Sequence, residues 1–307
     1  MVRLTTGTCT AILLTACLAW PASAQMPAEI AAQVKAIGPV VDPAKTAPIY
    51  APLQTKEPYE GVKMTRDVKY GPDARNQLDV FAPESASGPL PVFVFVHGGA
   101  FMGGNKRTGD SPFYDNVMLF AAKNGMVGVN MTYRLAPANP YPAAPNDIAA
   151  ALKWVTANIA SHGGDPAKIF VSGHSAGAAI AAQTITENDI PGIKGALLLS
   201  GIYSFTLTEP GKPELAYLGT DAVKHEGASS LSKLARGNLP LFVAWAEIDP
   251  PSFIRQGEVL YANLCIKNRC PSRVILKGHS HMSEVYSINT DDKTLSDAML
   301  AFVQKHR

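Results

Sequence analysis

Phe170–Ala182 reads FVSGHSAGAAIAA. An apolar, β-favouring run ends at Gly173, a serine sits at 175 between Gly173 and Gly177, and alanines follow at a density that favours helix. The stretch predicts a strand, a tight corner at Ser175 and a helix from Ala176. G-x-S-x-G between a strand and a helix is a nucleophile elbow. The serine occupies a strained turn, and side chains at the flanking glycine positions would collide with the neighbouring strand or helix. The corner presents the hydroxyl at the C-terminal edge of the sheet and aims the first helical N–H groups, including that of Ala176, at developing negative charge. The bland alternative is a glycine-flanked serine in an ordinary turn. The strand before it and the alanine-rich helix after it argue against that.

A nucleophilic serine needs a base, an acid that orients the base, and donors for an oxyanion. FVFVHGGAFMGG, residues 93–104, supplies candidate donors directly after a buried, β-rich run. His97-Gly98-Gly99-Ala100 is similar to an HGGG-type loop, with Ala100 in place of the third glycine. Alanine is tolerable there if its φ stays negative, because the donor is a backbone N–H. The assigned donors are Gly99, Ala100 and Ala176. His97 lies on the oxyanion side of the nucleophile and reads as a residue that braces the loop. Gly103 and Gly104 do not make a phosphate loop, since no G-K-[ST] follows.

On scaffolds that carry this elbow the partners follow in the order Ser, Asp/Glu, His, each after a strand. LFVAWA is followed by EIDPPSF, which makes Asp249 the acid and holds Glu247, two residues earlier, in reserve. SRVILKG is followed by HSHMSEVY, which offers His279 and His281 as the base. A metal reading of H-x-H has no third ligand placed with it. No cofactor is expected.

The rest of the chain alternates strand and helix signals. VKMTRDVKYG and QLDVFAP read as a strand pair; PVFVFV, MVGVNMTY, KIFVSG, KGALLLSG, LFVAWA and SRVILKG read as further strands. Helices are predicted near residues 111–124, from Pro145 to Gly163, after Ser175 and over 292–305. This pattern predicts an α/β fold: a mostly parallel central sheet flanked by helices. Residues 203–238 are weakly patterned and read as a small cap insertion. Residues 25–60 are Pro- and Ala-rich and read as an N-terminal arm, with a short helix over Ala28–Ile37 and an extended remainder. The main domain is then 61–307.

Residues 1–24 carry one charge, Arg3, a largely apolar run and a small-residue ending ASA; they read as a signal peptide cleaved after Ala24. This predicts an exported protein, periplasmic or secreted. The run is too short and too rich in threonine for a membrane anchor. LTAC, ending at Cys17, offers a lipoprotein alternative. Cys9 and Cys17 fall in this segment, so the mature chain keeps two cysteines, Cys265 and Cys270, close in sequence and expected to form a disulfide. The 27 basic and 25 acidic residues are scattered, which argues against nucleic acid or an anionic membrane as partner.

Taken together, HGGAF, YRLAPANPYPAAPNDIAAALKWV, HGGDPAKIFVSGHSAGA, AEIDPPSF and GHSHM resemble the hormone-sensitive-lipase-like carboxylesterase group of α/β-hydrolases. The resemblance covers most of the mature chain. It implies the α/β-hydrolase fold and a serine carboxylesterase acting on small to medium esters. It favours His281 over His279, because the base of that group precedes Phe or Met, here Met282. Two departures, Ala100 and His174 before the serine, also resemble arylformamidases and feruloyl or acetyl-xylan esterases. A non-catalytic binding protein on the same scaffold is a further alternative. Residues near the motifs that would shape a substrate pocket are Phe101, Met102, His174, Tyr203, Phe205, Phe253 and Met282. Oligomeric state is not legible in the sequence.

Overall fold

A computed structural model of the protein describes residues 25–86 and 88–307. The segment read as a signal peptide, with Cys9 and Cys17, lies outside the described residues. The N-terminal part holds two helices, α1 (Ala28–Ile37) and α2 (Pro43–Tyr50). The second corrects the expectation of an extended arm after Ile37. Pro43 stands at the first helical position, where its missing N–H costs nothing, and the side chain of Asp42 accepts the Lys45 N–H at 2.9 Å as an N-cap. Proline-rich sequence masked a helix that starts on a proline.

The sheet has eight strands: β1 (Val62–Lys69), β2 (Gln77–Pro83), β3 (Leu90–Val96), β4 (Val127–Met131), β5 (Gly164–His174), β6 (Ile193–Leu199), β7 (Leu241–Ile248) and β8 (Ser272–Ser280). Their spatial order is β1-β2-β4-β3-β5-β6-β7-β8. β1 pairs antiparallel with β2 and β2 antiparallel with β4; every later pairing is parallel. Helices α3 (Asp115–Lys123), α4 (Ala143–Asn158), α5 (Ala176–Glu187), α9 (Pro251–Ile266), α10 (His281–Tyr286) and α11 (Thr294–His306) connect or follow the strands. The β6–β7 connection carries three short helices, α6 (Lys212–Leu218), α7 (Ala222–Ala228) and α8 (Leu231–Arg236).

Strand alternation builds the core in two layers. Val92, Val94 and Val96 of β3 pack on one face with Ile148 and Leu152 of α4 and Ile180 of α5. Phe93 and Phe95 pack on the other with Val117 and Phe120 of α3 and Phe302 of α11. Cys265 and Cys270, at the end of α9 and before β8, are joined as a disulfide.

A buried ion network ties the β1–β2 edge to the chain that follows β3. Asp79, fully buried, receives Arg66 at 3.0 Å and Lys106 at 2.7 Å; Arg66 also reaches Asp115 at 2.6 Å. Asp79→Ala strips Lys106 and Arg66 of a shared counter-charge. We expect a loss of about 3–5 kcal/mol, seen as a fall in Tm on the order of 10 °C. A thermal melt unchanged within a degree would remove this network as a stability determinant.

Candidate active site

Ser175 sits between β5 and α5 at φ +58°, ψ −128°. Its N–H donates to Leu199 O of the neighbouring strand at 2.9 Å, which clamps the corner to the sheet. The flanking glycines are required by space. A Cβ on Gly177 would lie 2.1 Å from Val96 O, and one on Gly173 would lie 2.4 Å from Gly177 O, both backbone atoms that cannot swing away. The sequence therefore has no alternative to glycine on either side of this serine.

The loop after β3 turns sharply. Gly99, Ala100 and Phe101 have φ of +131°, +53° and +61°. The expectation of a negative φ at Ala100 is thus corrected. The chain folds back so that Met102 and Gly103 both donate to Gly99 O, at 3.1 and 2.9 Å, and Ala136 N holds Phe101 O at 3.0 Å. These bonds offset a left-handed cost of about 1–2 kcal/mol at Ala100. Gly99, Ala100, Ser175 and Ala176 all border one cavity, with the N-terminus of α5 facing into it. His97 braces the loop. Its ring stacks on Tyr133 at 4.4 Å between centroids, the Tyr133 hydroxyl donates to His97 O at 2.7 Å, and His97 Nδ1 lies 2.6 Å from Gly98 O.

Burial lowers the His97 pKa to about 4. The unfolded chain binds this proton near pH 6.5, and the folded chain does not until about pH 4. Stability is therefore fully present above pH 6.5 and is lost as pH falls through that window, by up to about 3 kcal/mol. His174, whose pKa burial also pushes well down, adds to the loss in the same direction. Melts from pH 7.5 to pH 4.5 should show it, and His97→Gln should flatten the slope. An unchanged slope in that variant would assign the acid sensitivity elsewhere.

The two candidate histidines part company. His281, the first residue of α10, donates Nδ1–H to Asp249 Oδ1 at 2.6 Å, and both side chains are fully buried. His279 instead pairs with Asp292 at 2.9 Å and lies 3.2 Å from Ser283 Oγ. The reserve acid, Glu247, is exposed and bound to Lys277 at 2.8 Å and to the Gly278 N–H at 2.9 Å, whereas the histidines pair with Asp249 and Asp292. The His281 ring is held between Phe253 and His174, at 4.4 and 4.6 Å between centroids, and its Nε2 has no partner among the described residues. His174 Nε2 donates to His281 O at 2.9 Å, so the residue before Ser175 in sequence fixes the histidine in space. Burial, then the nearby His281, keeps His174 neutral.

The cavity at this point has a volume of about 830 Å³ and largely apolar walls. Phe101, His174, Phe253 and Met282 line it. Met102 and Tyr203 do not, which corrects two of the predicted pocket residues. Met102 sits on the outer side of the loop, about one-third exposed. Tyr203 is buried, its hydroxyl accepting the Gly201 N–H at 3.2 Å. Phe205 is also absent from the walls; it packs behind Phe101, 5.9 Å between centroids. Ala44 and Ala47 of α2, with Phe113, Tyr114, Ile202 and Tyr286, are among the other wall residues. None of these was singled out from sequence. The available signal was the i, i+4 spacing of Met282 and Tyr286, which places both on one side of a helix starting at His281. Among the described residues, no group of three or more His, Cys, Asp or Glu side chains is arranged to hold a metal ion.

The sequence pattern that defines the alpha/beta hydrolase fold family matches residues 93–269, more than half of the chain. This chain is an α/β-hydrolase. The match spans the loop after β3, the corner at Ser175 and Asp249, and agrees with the resemblance to the hormone-sensitive-lipase-like group. Tuliposide A-converting enzyme b1 of Tulipa gesneriana is 34% identical over 147 residues, 44% of this chain and 38% of that protein. A probable carboxylic ester hydrolase, LipM, of Mycobacterium tuberculosis is 34% identical over 175 residues, 52% of this chain and 40% of that protein. The α/β-hydrolase chain here thus spans about two-fifths of the length of these curated relatives. A thermostable esterase from Pseudomonas putida ECU1011 superposes with a TM-score of 0.68 at 22% identity, over 93% of this chain and 98% of that one, and shares the fold.

Proposed function

We propose that this α/β-hydrolase is a serine carboxylesterase. The observation that carries the reading is the buried Asp249–His281 pair at 2.6 Å, docked through His174 onto the strained corner that bears Ser175. Names of relatives that hydrolyse esters support it. In this reading His281 Nε2 takes the Ser175 proton as Oγ attacks an ester carbonyl. The oxyanion settles on the N–H groups of Gly99, Ala100 and Ala176, and the alcohol leaves with the proton from His281. Water then releases the acid by the same route. Asp249 keeps the imidazole in the tautomer that presents Nε2 as acceptor. No cofactor enters the cycle. We also propose export, on the strength of the N-terminal segment, with a small-molecule ester as the partner.

A cavity of about 830 Å³ with apolar walls suits esters of small to medium acyl chains. Hydrolysis of p-nitrophenyl acetate, butyrate, octanoate and palmitate measures this. We expect the highest kcat/KM at butyrate or octanoate and a fall of about tenfold or more at palmitate, whose chain exceeds the drug-sized scale of such pockets. A formanilide substrate run beside them separates the arylformamidase alternative: preference for it over every ester would overturn the carboxylesterase reading.

A further inference from the structure

Behind the Asp249–His281 pair lies a second buried acid, Glu284. Ser200, at the turn after β6, has φ +43°. Its hydroxyl lies between two buried carboxyls, 2.6 Å from Asp249 Oδ2 and in hydrogen-bond contact with Glu284 Oε2. A serine hydroxyl carries one proton and cannot donate to both. One of the carboxyls must therefore supply the hydrogen of its own contact and stand as a carboxylic acid.

The remaining contacts decide which. Asp249 also receives His281 Nδ1–H at 2.6 Å and Ala246 N–H at 3.0 Å. Glu284 receives nothing else: Oε1 has no partner among the described residues. His174 Nε2 lies 3.8 Å from Oε2 and donates instead to His281 O. Two donors independent of Ser200 converge on Asp249 and none on Glu284, and the anion belongs there.

We propose that Glu284 is a positioning residue that, as a neutral acid, donates its proton to Ser200 Oγ, which in turn donates to Asp249 Oδ2 and fixes the carboxylate that orients His281. The inference rests on the catalytic reading of Ser175, Asp249 and His281. Burial, then the charge of Asp249, holds the Glu284 carboxyl well above the usual carboxylate range, in line with the contacts. The titratable groups facing it are Asp249, His174, His281 and Tyr203, and burial keeps both His174 and Tyr203 neutral. With Glu284 uncharged, Asp249 alone stabilises the imidazolium. An ionised Glu284 would add a second negative charge and raise the pH at which His281 becomes a free base.

The test compares Glu284→Gln, whose amide N–H replaces the acid proton, with Glu284→Leu, which has none. The His281 ring is titrated by NMR on histidine-labelled protein and assigned by its loss in His281→Asn. Melting temperature and kcat/KM on p-nitrophenyl butyrate are read alongside. In Glu284→Gln the His281 midpoint should stay within about 0.3 pH unit of wild type, and kcat/KM should fall no more than about threefold. In Glu284→Leu kcat should fall about tenfold or more, from lost orientation of the acid–base pair. A midpoint in Glu284→Gln lowered by about one unit or more would show that an anion had been removed and would overturn the proposal. So would equal kcat in the two variants. If the leucine variant does not fold, the glutamine titration decides. That titration uses no substrate, so its outcome is separate from the esterase reading, which Ser175→Ala tests.

Discussion

Ser175→Ala is expected to lower kcat/KM for p-nitrophenyl butyrate on the order of 10⁴- to 10⁶-fold while leaving the fold intact. The size follows from the role assigned to Oγ. No acyl-enzyme forms without it, and only the oxyanion donors and binding remain to assist attack by water. The fold is spared because what holds the corner is backbone: the Ser175 N–H to Leu199 O bond and the space left by Gly173 and Gly177. Alanine fills the same φ of +58° with one atom fewer, so Tm should move by only a few degrees. The measurement pairs turnover with labelling by an aryl phosphonate. Wild type should take up one equivalent at Ser175, located by peptide mass, and the variant none. Turnover in Ser175→Ala close to wild type would remove the serine as nucleophile and leave the elbow as a structural corner.

The elbow was legible because its demands are local. A strand, two glycines, a serine and an alanine-rich helix lie within thirteen residues, and the backbone clashes at Gly173 and Gly177 leave one residue type possible. The sheet was legible for a similar reason: strands buried on both faces, such as β3 with every residue from Pro91 to Val96 buried, read as continuous apolar runs. What sequence missed was set by distant contacts. The φ of Ala100 is dictated by bonds from Met102 and Gly103 and from Ala136 on another loop. Met102 and Tyr203 sit beside motif residues in sequence, yet the turns after β3 and β6 carry them out of the cavity. Nothing in HSHMSEVY sets Glu284 apart, and only the packing of α10 against Ser200 and Asp249 reveals a buried acid.

Asp249→Asn against Glu247→Gln carries the second large effect, because the two carboxylates stand two residues apart at the same strand end and the sequence offered both. Their surroundings differ completely. Asp249 is buried and accepts from His281, Ser200 and Ala246; Glu247 is exposed and pairs with Lys277. An asparagine at 249 can turn an N–H toward His281 Nδ1, which reverses the bond, puts the ring proton on Nε2 and leaves no lone pair to receive the Ser175 proton. We expect kcat to fall on the order of 10³- to 10⁴-fold. Partial recovery should appear as pH rises and hydroxide substitutes for the missing base. Glu247→Gln removes only an exposed ion pair worth less than about 1 kcal/mol and should leave kcat/KM within about twofold. The reverse ranking would place the acid at Glu247 and would require β7 to end in a different register against β8, because the observed pairing of Ile248 with Ser280 sets Asp249 beside His281.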